Sequence, residues 1–165
     1  MCTFYASTTG VLPPSDALKS AIVASNAGFG LAWYVCENAY SYRSLASDSD
    51  LSLWSLLNRI EADHLPYLLH FRRVVTLPVT LDAIQPFLTD AGFYAQAGLF
   101  VGLLFAARNG ESQPLRMLRR GALDPHTLRS FAGKVDWAFL SSEGVVASES
   151  TTFSLGLYTG RSRTA

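Results

Sequence analysis

The chain has 165 residues, 49% of them hydrophobic and 16% charged, so it is long enough to bury a sizeable core and too apolar to be disordered. Its 13 basic and 13 acidic side chains cancel, which argues against nucleic acid or an anionic membrane as a partner. Because the chain has only two cysteines and no signal-peptide pattern, we expect a soluble, cytoplasmic protein from a reducing compartment.

In chain order, the first half predicts a buried strand from residue 2, a helix over 15–25 with Ser15 as its N-cap, and a hairpin of strands over 29–36 and 39–45. Gly28 and Gly30 are expected to allow close backbone packing or an unusual φ angle. Cys36 is expected to be an inert thiol inside a buried strand. An amphipathic helix follows over 51–61, with Asp50 as its N-cap.

The second half begins with a strand-like stretch, PYLLHFRRVVTLPV, followed by a short buried strand in FYAQAGLF. The apolar run over 98–107 is too short to cross a bilayer and predicts a buried element. Two short helices follow, the second with Asp124 as N-cap and Gly133 after its end. KVDWAFLSSEGVVASES then predicts a hairpin, and TTFSLGLYTGR predicts one last strand.

This order of elements favours a single α+β domain over residues 1–165, with largely antiparallel sheets. No metal or cofactor is expected, because His64, His70 and His126 share no ligand spacing and the chain has no CxxC pair or phosphate-binding glycine loop. His70 is expected to be a core histidine and His126 a solvated one. The three tryptophans are expected to pack in the core.

Cys2 directly follows the first methionine. After removal of Met1 its thiol would carry its own α-amine, which titrates close to neutrality and can accept the thiol proton. Such a nucleophile also needs an oxyanion donor and a group that holds the charged end of the substrate. Arg72 and Arg73 are candidates for the second role, because a guanidinium matches a carboxylate in a bidentate geometry. A chance cysteine in a flexible terminus is the alternative.

Six blocks of the chain, in order from Cys2 to about Gly144, resemble the class II glutamine amidotransferases, which are N-terminal nucleophile hydrolases. The blocks are MC, NAGFGLAWY, LLHFRRVVT, IQPF, YAQAGLF and KVDWAFLSSEG. They are similar to the family patterns MC, DGwGi.wy, H-x-R-x-A-T, n.HPF, a.HNG and a late strand–SDG hairpin. Among the members of this family, the chain is most similar to short standalone ones, including phage-encoded ones. The resemblance implies a four-layer αββα sandwich of two mainly antiparallel sheets.

The resemblance also implies roles for individual residues. It puts Cys2 at the nucleophile position and Arg72 at the position that binds the α-carboxylate of glutamine, with Arg73 as the alternative if the register differs by one. Thr76 stands for the family threonine, one residue later than usual. Gln96 and Gly98 stand in the HNG-like block, where the Gly98 N–H would be the remaining oxyanion donor.

Four polar positions of the family carry other residues in this chain. Ala97 replaces the oxyanion asparagine, Gln85 the histidine of HPF, Gln113 the aspartate that receives the substrate amine, and Ala27 the aspartate of DGwG. Loss of one oxyanion donor typically slows turnover about a hundred- to a thousandfold. The resemblance therefore implies an amidohydrolase that acts on a small amide substrate and works poorly on free glutamine. The alternatives are an inactive protein of this fold that binds a partner protein or a small molecule, and an unrelated α+β protein.

Overall fold

The computed structural model describes residues 2–25, 27–45, 51–73, 80–98, 113–121, 123–130 and 135–161. The larger sheet contains β1 (Thr3–Ser7), β2 (Phe29–Val35), β3 (Asn38–Ser44), β4 (Tyr67–Phe71), β9 (Thr152–Ser154) and β10 (Leu157–Arg161). The smaller sheet contains β5 (Phe87–Thr89), β6 (Gly92–Ala97), β7 (Asp136–Ser141) and β8 (Gly144–Ala147). The helices are α1 (Ser15–Ala24), α2 (Leu51–Ala62), α3 (Gln113–Arg119) and α4 (Pro125–Ser130), with a short 3-10 helix at Leu81–Ala83.

The strand order is β3-β2-β4-β1-β10-β9 in the larger sheet and β5-β6-β7-β8 in the smaller one. Every pair in these two sheets is antiparallel. The predicted α+β class with antiparallel sheets is therefore confirmed. β1 lies inside the larger sheet, between β4 and β10, so Cys2 stands at the start of an interior strand.

Helices α1 and α2 cover the outer face of the larger sheet. Their apolar residues recur at helical spacing, and Leu18, Ile22 and Leu57 are buried in one cluster with Leu31 of β2 and Leu69 of β4. The two helical regions expected over 15–25 and 51–61 thus form at nearly the predicted bounds.

The two sheets pack face to face through the opposite side chains of the same strands. Phe4 and Leu68 of the larger sheet are buried with Phe93, Ala138 and Leu140 of the smaller one. Along β4 these residues alternate with those of the outer core, as the period of two in a strand requires. The interior strands β1, β2, β4, β6 and β7 are largely buried on both faces, which explains why their sequences are mostly apolar.

Helices α3 and α4 cover the outer face of the smaller sheet. Met117 and Leu128 pack there against Trp137 and Phe139 of β7. The N-terminus of α4 is capped as predicted, since the Thr127 N–H donates to Oδ1 of Asp124 over 2.8 Å. Hydrogen bonds from Thr127, first from its hydroxyl and then from this N–H, hold the pKa of Asp124 below its ordinary value.

Three local predictions were wrong. Ser15 does not cap α1, because the Leu18 N–H already bonds the Pro14 carbonyl over 3.0 Å and the helix begins at Ser15 itself. Cys36 is not buried in a strand; it is exposed in the β2–β3 turn with φ of 55°. The single last strand is instead the hairpin of β9 and β10, because Leu155 and Gly156 take positive φ angles of 52° and 82°.

Some predictions concern residues that the structure does not describe. They are the Asp50 cap, the continuation of the β4 stretch over 74–79, the apolar element over 98–107 apart from Gly98, and Gly133. Trp33 and Trp54 are partly buried against the outer core, and Trp137 is buried, as expected.

Both glycines of the FGLAW region serve close packing, as predicted. Gly28 has φ of +93°, and a Cβ there would lie 2.1 Å from the Ser44 carbonyl oxygen. At Gly30 a Cβ would lie 2.0 Å from the Gln85 carbonyl oxygen. Residues 81–86, which we call the strap, therefore lie directly on the backbone of β2.

Candidate active site

Cys2 lies immediately before β1, where Thr3 pairs with both Phe71 of β4 and Arg161 of β10. Its side chain is partly buried and packs against the cluster between the two sheets. The Cys2 thiol donates to the Arg73 carbonyl oxygen, with 3.7 Å between the sulfur and the oxygen. The sulfur is thus held at the edge of the gap between the sheets, beside the chain segment that follows β4.

Arg72 comes directly after β4 and continues the strand pairing by one residue. Its N–H donates to the Gly28 carbonyl over 2.9 Å, and its own carbonyl accepts from the Ser25 hydroxyl over 2.9 Å. Because side chains alternate along a strand, Arg72 shares the inner face with His70 two residues earlier. Arg72 is only 6% exposed as a residue, and its guanidinium donates to the Ala83 carbonyl of the strap.

Burial lowers the pKa of Arg72 from its ordinary value, and the interaction with Cys2 opposes this shift. Cys2 packs against the same inter-sheet face, and its thiol bonds the carbonyl of Arg73, the residue after Arg72. Among the described residues, no acidic side chain forms an ion pair with Arg72. A buried cation without a carboxylate partner costs free energy. This geometry therefore favours an anionic partner, which is either a ligand or a residue outside the described ranges.

The two arginines that the sequence left as alternatives differ in the structure. Arg72 is buried beside Cys2, whereas the side chain of Arg73 is exposed and only its carbonyl contacts the thiol. Thr76 lies outside the described residues. Of the two arginines, Arg72 is therefore the one whose side chain is buried on the face of the sheet against which Cys2 packs.

Gln96 and Gly98 lie at the end of β6. The Gln96 side chain is buried and hydrogen-bonded at both ends of its amide, since Oε1 accepts from the Tyr94 hydroxyl over 2.7 Å and Nε2 donates to the Gly98 carbonyl over 2.9 Å. We therefore do not include it among the groups that contact a substrate. Gly98 has φ of +104°, and Ala97 before it belongs to the same inter-sheet cluster against which Cys2 packs.

The sequence did not predict the hydrogen bonds that hold this end of β6. The Gln96 N–H donates to Oε1 of Gln85 over 2.6 Å, and the Gln96 carbonyl accepts from Nε2 of His70 over 3.2 Å. The polar residue before Pro86 in IQPF was the one sequence signal for the first contact. No sequence signal marked the second, because His70 and Gln96 belong to different sheets.

His70 is completely buried, in agreement with the predicted core histidine. Nε2 faces a carbonyl and is thus the protonated nitrogen, while Nδ1 is buried with no hydrogen-bond partner. Burial, reinforced by the Arg72 cation, lowers the pKa of His70 to about 3. The ring is neutral at physiological pH, so the positive charge beside it belongs to Arg72.

Other features of the described residues lie away from Cys2. No group of three or more His, Cys, Asp or Glu side chains in the described ranges is arranged to hold a metal ion. No described helix has both the length and the apolar character needed to cross a membrane. A surface groove of about 450 Å³ lies between the β5–β6 turn and helices α3 and α4, lined in part by Leu88, Asp90, Leu118 and Asp124. None of the predicted site residues lines it.

The chain matches no model of a known protein family and no curated protein.

Proposed function

We propose that this chain is a diverged class II glutamine amidotransferase-like protein, with an Ntn-hydrolase-like αββα sandwich and Cys2 as its N-terminal nucleophile. Its substrate would be a small amide with a carboxylate, other than free glutamine. The fold is consistent with this, because helices cover the outer faces of both stacked antiparallel sheets. The observation that carries the proposal is the buried guanidinium of Arg72 beside the Cys2 thiol.

In the proposed reaction the α-amine of Cys2, free after removal of Met1, takes the thiol proton. The sulfur attacks the amide carbon, a C–S bond forms, and the Gly98 N–H stabilises the negative charge on the carbonyl oxygen. The C–N bond then breaks and the nitrogen leaves with that proton. Water attacks the thioester, releases the carboxylic acid and regenerates the thiol. Arg72 binds a carboxylate of the substrate throughout.

Free glutamine should be a poor substrate for two reasons. The side chain at position 97 is a buried alanine, so it cannot donate to an oxyanion. The position that resembles the family aspartate for the substrate amine is Gln113, whose neutral amide does not neutralise an ammonium group. The mechanism also requires that Met1 is removed, and the intact mass of the protein reports whether this removal has occurred.

The test compares alkylation of Cys2 by iodoacetate with alkylation by iodoacetamide, two reagents of similar size that differ in charge. Cys36 is exposed and is replaced by serine in all variants. Arg72→Gln should lower the iodoacetate-to-iodoacetamide rate ratio by about tenfold or more, since a hydrogen bond to a charged group contributes about 1.5–3 kcal/mol. Arg73→Gln, at the exposed neighbour, is the matched control and should leave the ratio unchanged. Equal ratios in Arg72→Gln and the parent would refute the proposed role of Arg72.

A second candidate is a catalytically inactive protein of the same fold that binds a small molecule or a partner protein. The buried Ala97 favours it, because only a backbone donor remains for the oxyanion. Turnover separates the two functions. An amidohydrolase should release ammonia or an amine from its substrate and lose this activity in Cys2→Ala, whereas a binding protein should keep its affinity in that variant. In our proposal, both candidate functions belong to a cytoplasmic protein that binds neither nucleic acid nor a membrane.

A further inference from the structure

Among the described strands, none lies beside the end of β6 on its β5 side. β5 begins at Phe87, which pairs with Tyr94, so no described strand residue faces Gln96 on the β5 side. Gln85 and His70 take the place of that strand by bonding the Gln96 N–H and carbonyl. The position of this strand end therefore depends on two side chains from other parts of the chain.

His70 is the one of these two that belongs to the sheet carrying Cys2. It pairs in register with Phe4 of β1 and lies two residues before Arg72. Its Nε2–H crosses the gap to the Gln96 carbonyl, and the Gln96 amide in turn donates to the Gly98 carbonyl. Two hydrogen bonds thus connect the strand of Arg72 to the backbone of Gly98.

A different link holds the other side of β6. The Arg161 N–H of β10 donates over 3.0 Å to Oδ2 of Asp136, which pairs with Ala97. The strand end is therefore fixed to the larger sheet from two directions. Without His70, the Gln85 bond on the β5 side would remain, but the link from that side to the larger sheet would be lost and the buried Gln96 carbonyl would lack its partner.

We propose that His70 is a positioning residue, whose hydrogen bond to the Gln96 carbonyl sets the distance between the Gly98 N–H and the Cys2 sulfur. This inference rests on the proposed function, because it assigns the Gly98 N–H as the oxyanion donor. His70 itself does not touch the substrate or transfer a proton. Its effect is geometric, and a small displacement of an oxyanion donor is enough to slow acyl transfer.

Two reactions of Cys2 separate positioning from general stability. With 4-nitrophenyl acetate the sulfur attacks the carbonyl carbon, an oxyanion forms, a C–S bond replaces the C–O bond, and 4-nitrophenolate leaves. With iodoacetamide the sulfur displaces iodide from a saturated carbon and no oxyanion forms. The ratio of the acylation rate to the alkylation rate therefore reports the oxyanion donor and cancels changes in thiol accessibility.

The experiment measures this ratio in Cys36→Ser protein and in three variants built on it. His70→Leu removes the donor and should lower the ratio by about tenfold or more. His70→Gln keeps an amide N–H at a similar reach and should restore the ratio to within about threefold of the parent. Leu68→Ala is the control, because it opens a cavity in the same inter-sheet core without removing the hydrogen bond. Its ratio should equal that of the parent.

If His70→Leu does not fold, His70→Asn replaces it, since the shorter amide does not reach Gln96. An unchanged ratio in the donor-less variant, or an equal fall in Leu68→Ala, overturns the positioning role and leaves the proposed function standing. A parent ratio no higher than that of the urea-unfolded chain overturns the proposed function, and the positioning role with it. A fall confined to the donor-less variant, with recovery in His70→Gln, supports both.

Discussion

At the scale of single residues, two buried polar side chains stand two positions apart on the inner face of the larger sheet. Arg72 reaches the strap through the Ala83 carbonyl, and His70 reaches β6 through the Gln96 carbonyl. Burial of a charged or polar group costs free energy unless the group finds a partner. Within the described residues, Nδ1 of His70 has no hydrogen-bond partner, and Arg72 forms no ion pair with an acidic side chain.

Because the pKa of His70 is lowered in the fold, the free energy of unfolding should depend on pH. The ring is neutral in the fold down to about pH 3, whereas an unfolded histidine takes up a proton near about pH 6.5. Between these values the unfolded chain binds more protons, so the free energy of unfolding should fall as the pH decreases, by up to about 1.4 kcal/mol per pH unit. Above about pH 6.5 this contribution is constant.

Urea unfolding at pH 7 and pH 4 measures this effect. His70→Gln cannot be protonated and should show a smaller loss of stability between the two pH values than the parent protein. His126→Gln, at an exposed position of α4, is the control and should keep the loss seen in the parent. The same acid dependence in His70→Gln as in the parent would show that His70 is not the group responsible.

At the scale of elements, the strap over residues 81–86 is held by several strands at once. Arg72 donates to the Ala83 carbonyl, Arg43 of β3 donates to the Pro86 carbonyl over 2.7 Å, and Gln85 accepts from β6. Gly30 of β2 allows the Gln85 backbone to approach closely. The strap thus closes one side of the gap between the sheets, next to the proposed site.

Gly30→Ala should displace the strap, because the new Cβ would lie 2.0 Å from a backbone oxygen that cannot rotate away. We expect a loss of about 1–3 kcal/mol in the free energy of unfolding, the usual cost of overpacking. Gly121→Asn is the control, since nothing lies within 4 Å of a Cβ there and asparagine tolerates its φ of +62°. Urea unfolding of the two variants tests this, and equal stabilities would mean that the strap adjusts without cost.

At the scale of the whole molecule, the inter-sheet core joins two sheets that otherwise carry separate helices on their outer faces. It consists of side chains from both sheets, including Phe4, Leu68, Phe93 and Leu140. Since each sheet depends on the other to bury its inner face, neither should remain folded alone. The chain should therefore unfold in one cooperative transition.

Leu140→Ala, in the inter-sheet core, should lower the free energy of unfolding by about 2–5 kcal/mol and shift both sheets together. In protein with Trp33→Phe and Trp54→Phe, the fluorescence of Trp137 reports unfolding of the smaller sheet. In Trp137→Phe protein, the fluorescence of Trp33 and Trp54 reports unfolding of the larger sheet. The two urea midpoints should coincide before and after the substitution. Separate midpoints would contradict the single transition.

The matched control is Leu51→Ala on α2, which removes the same atoms from a side chain that is 83% exposed. It should change the stability by less than about 0.5 kcal/mol. A loss as large as that of Leu140→Ala would mean that the fluorescence change does not report the inter-sheet core.

Local patterns were sufficient to predict much of the fold. The helical spacing of Leu53 and Leu57, the Asp124 cap and the apolar strands all express preferences between residues a few positions apart. The errors also have local causes. Cys36 and Leu155 adopt positive φ angles that their side chains disfavour, so neither residue type signals the turn in which it lies.

The sequence by itself determined where most of the described strands and helices form, and that a buried strand begins close to Cys2. Only the tertiary structure decided that Arg72 and not Arg73 faces Cys2, because a shift of one residue in a strand exchanges its two faces. It also decided that His70 bonds Gln96, since these residues meet only when two sheets pack against each other. Periodicity tells which side of a strand a residue occupies, whereas the partner across the gap depends on how distant segments pack.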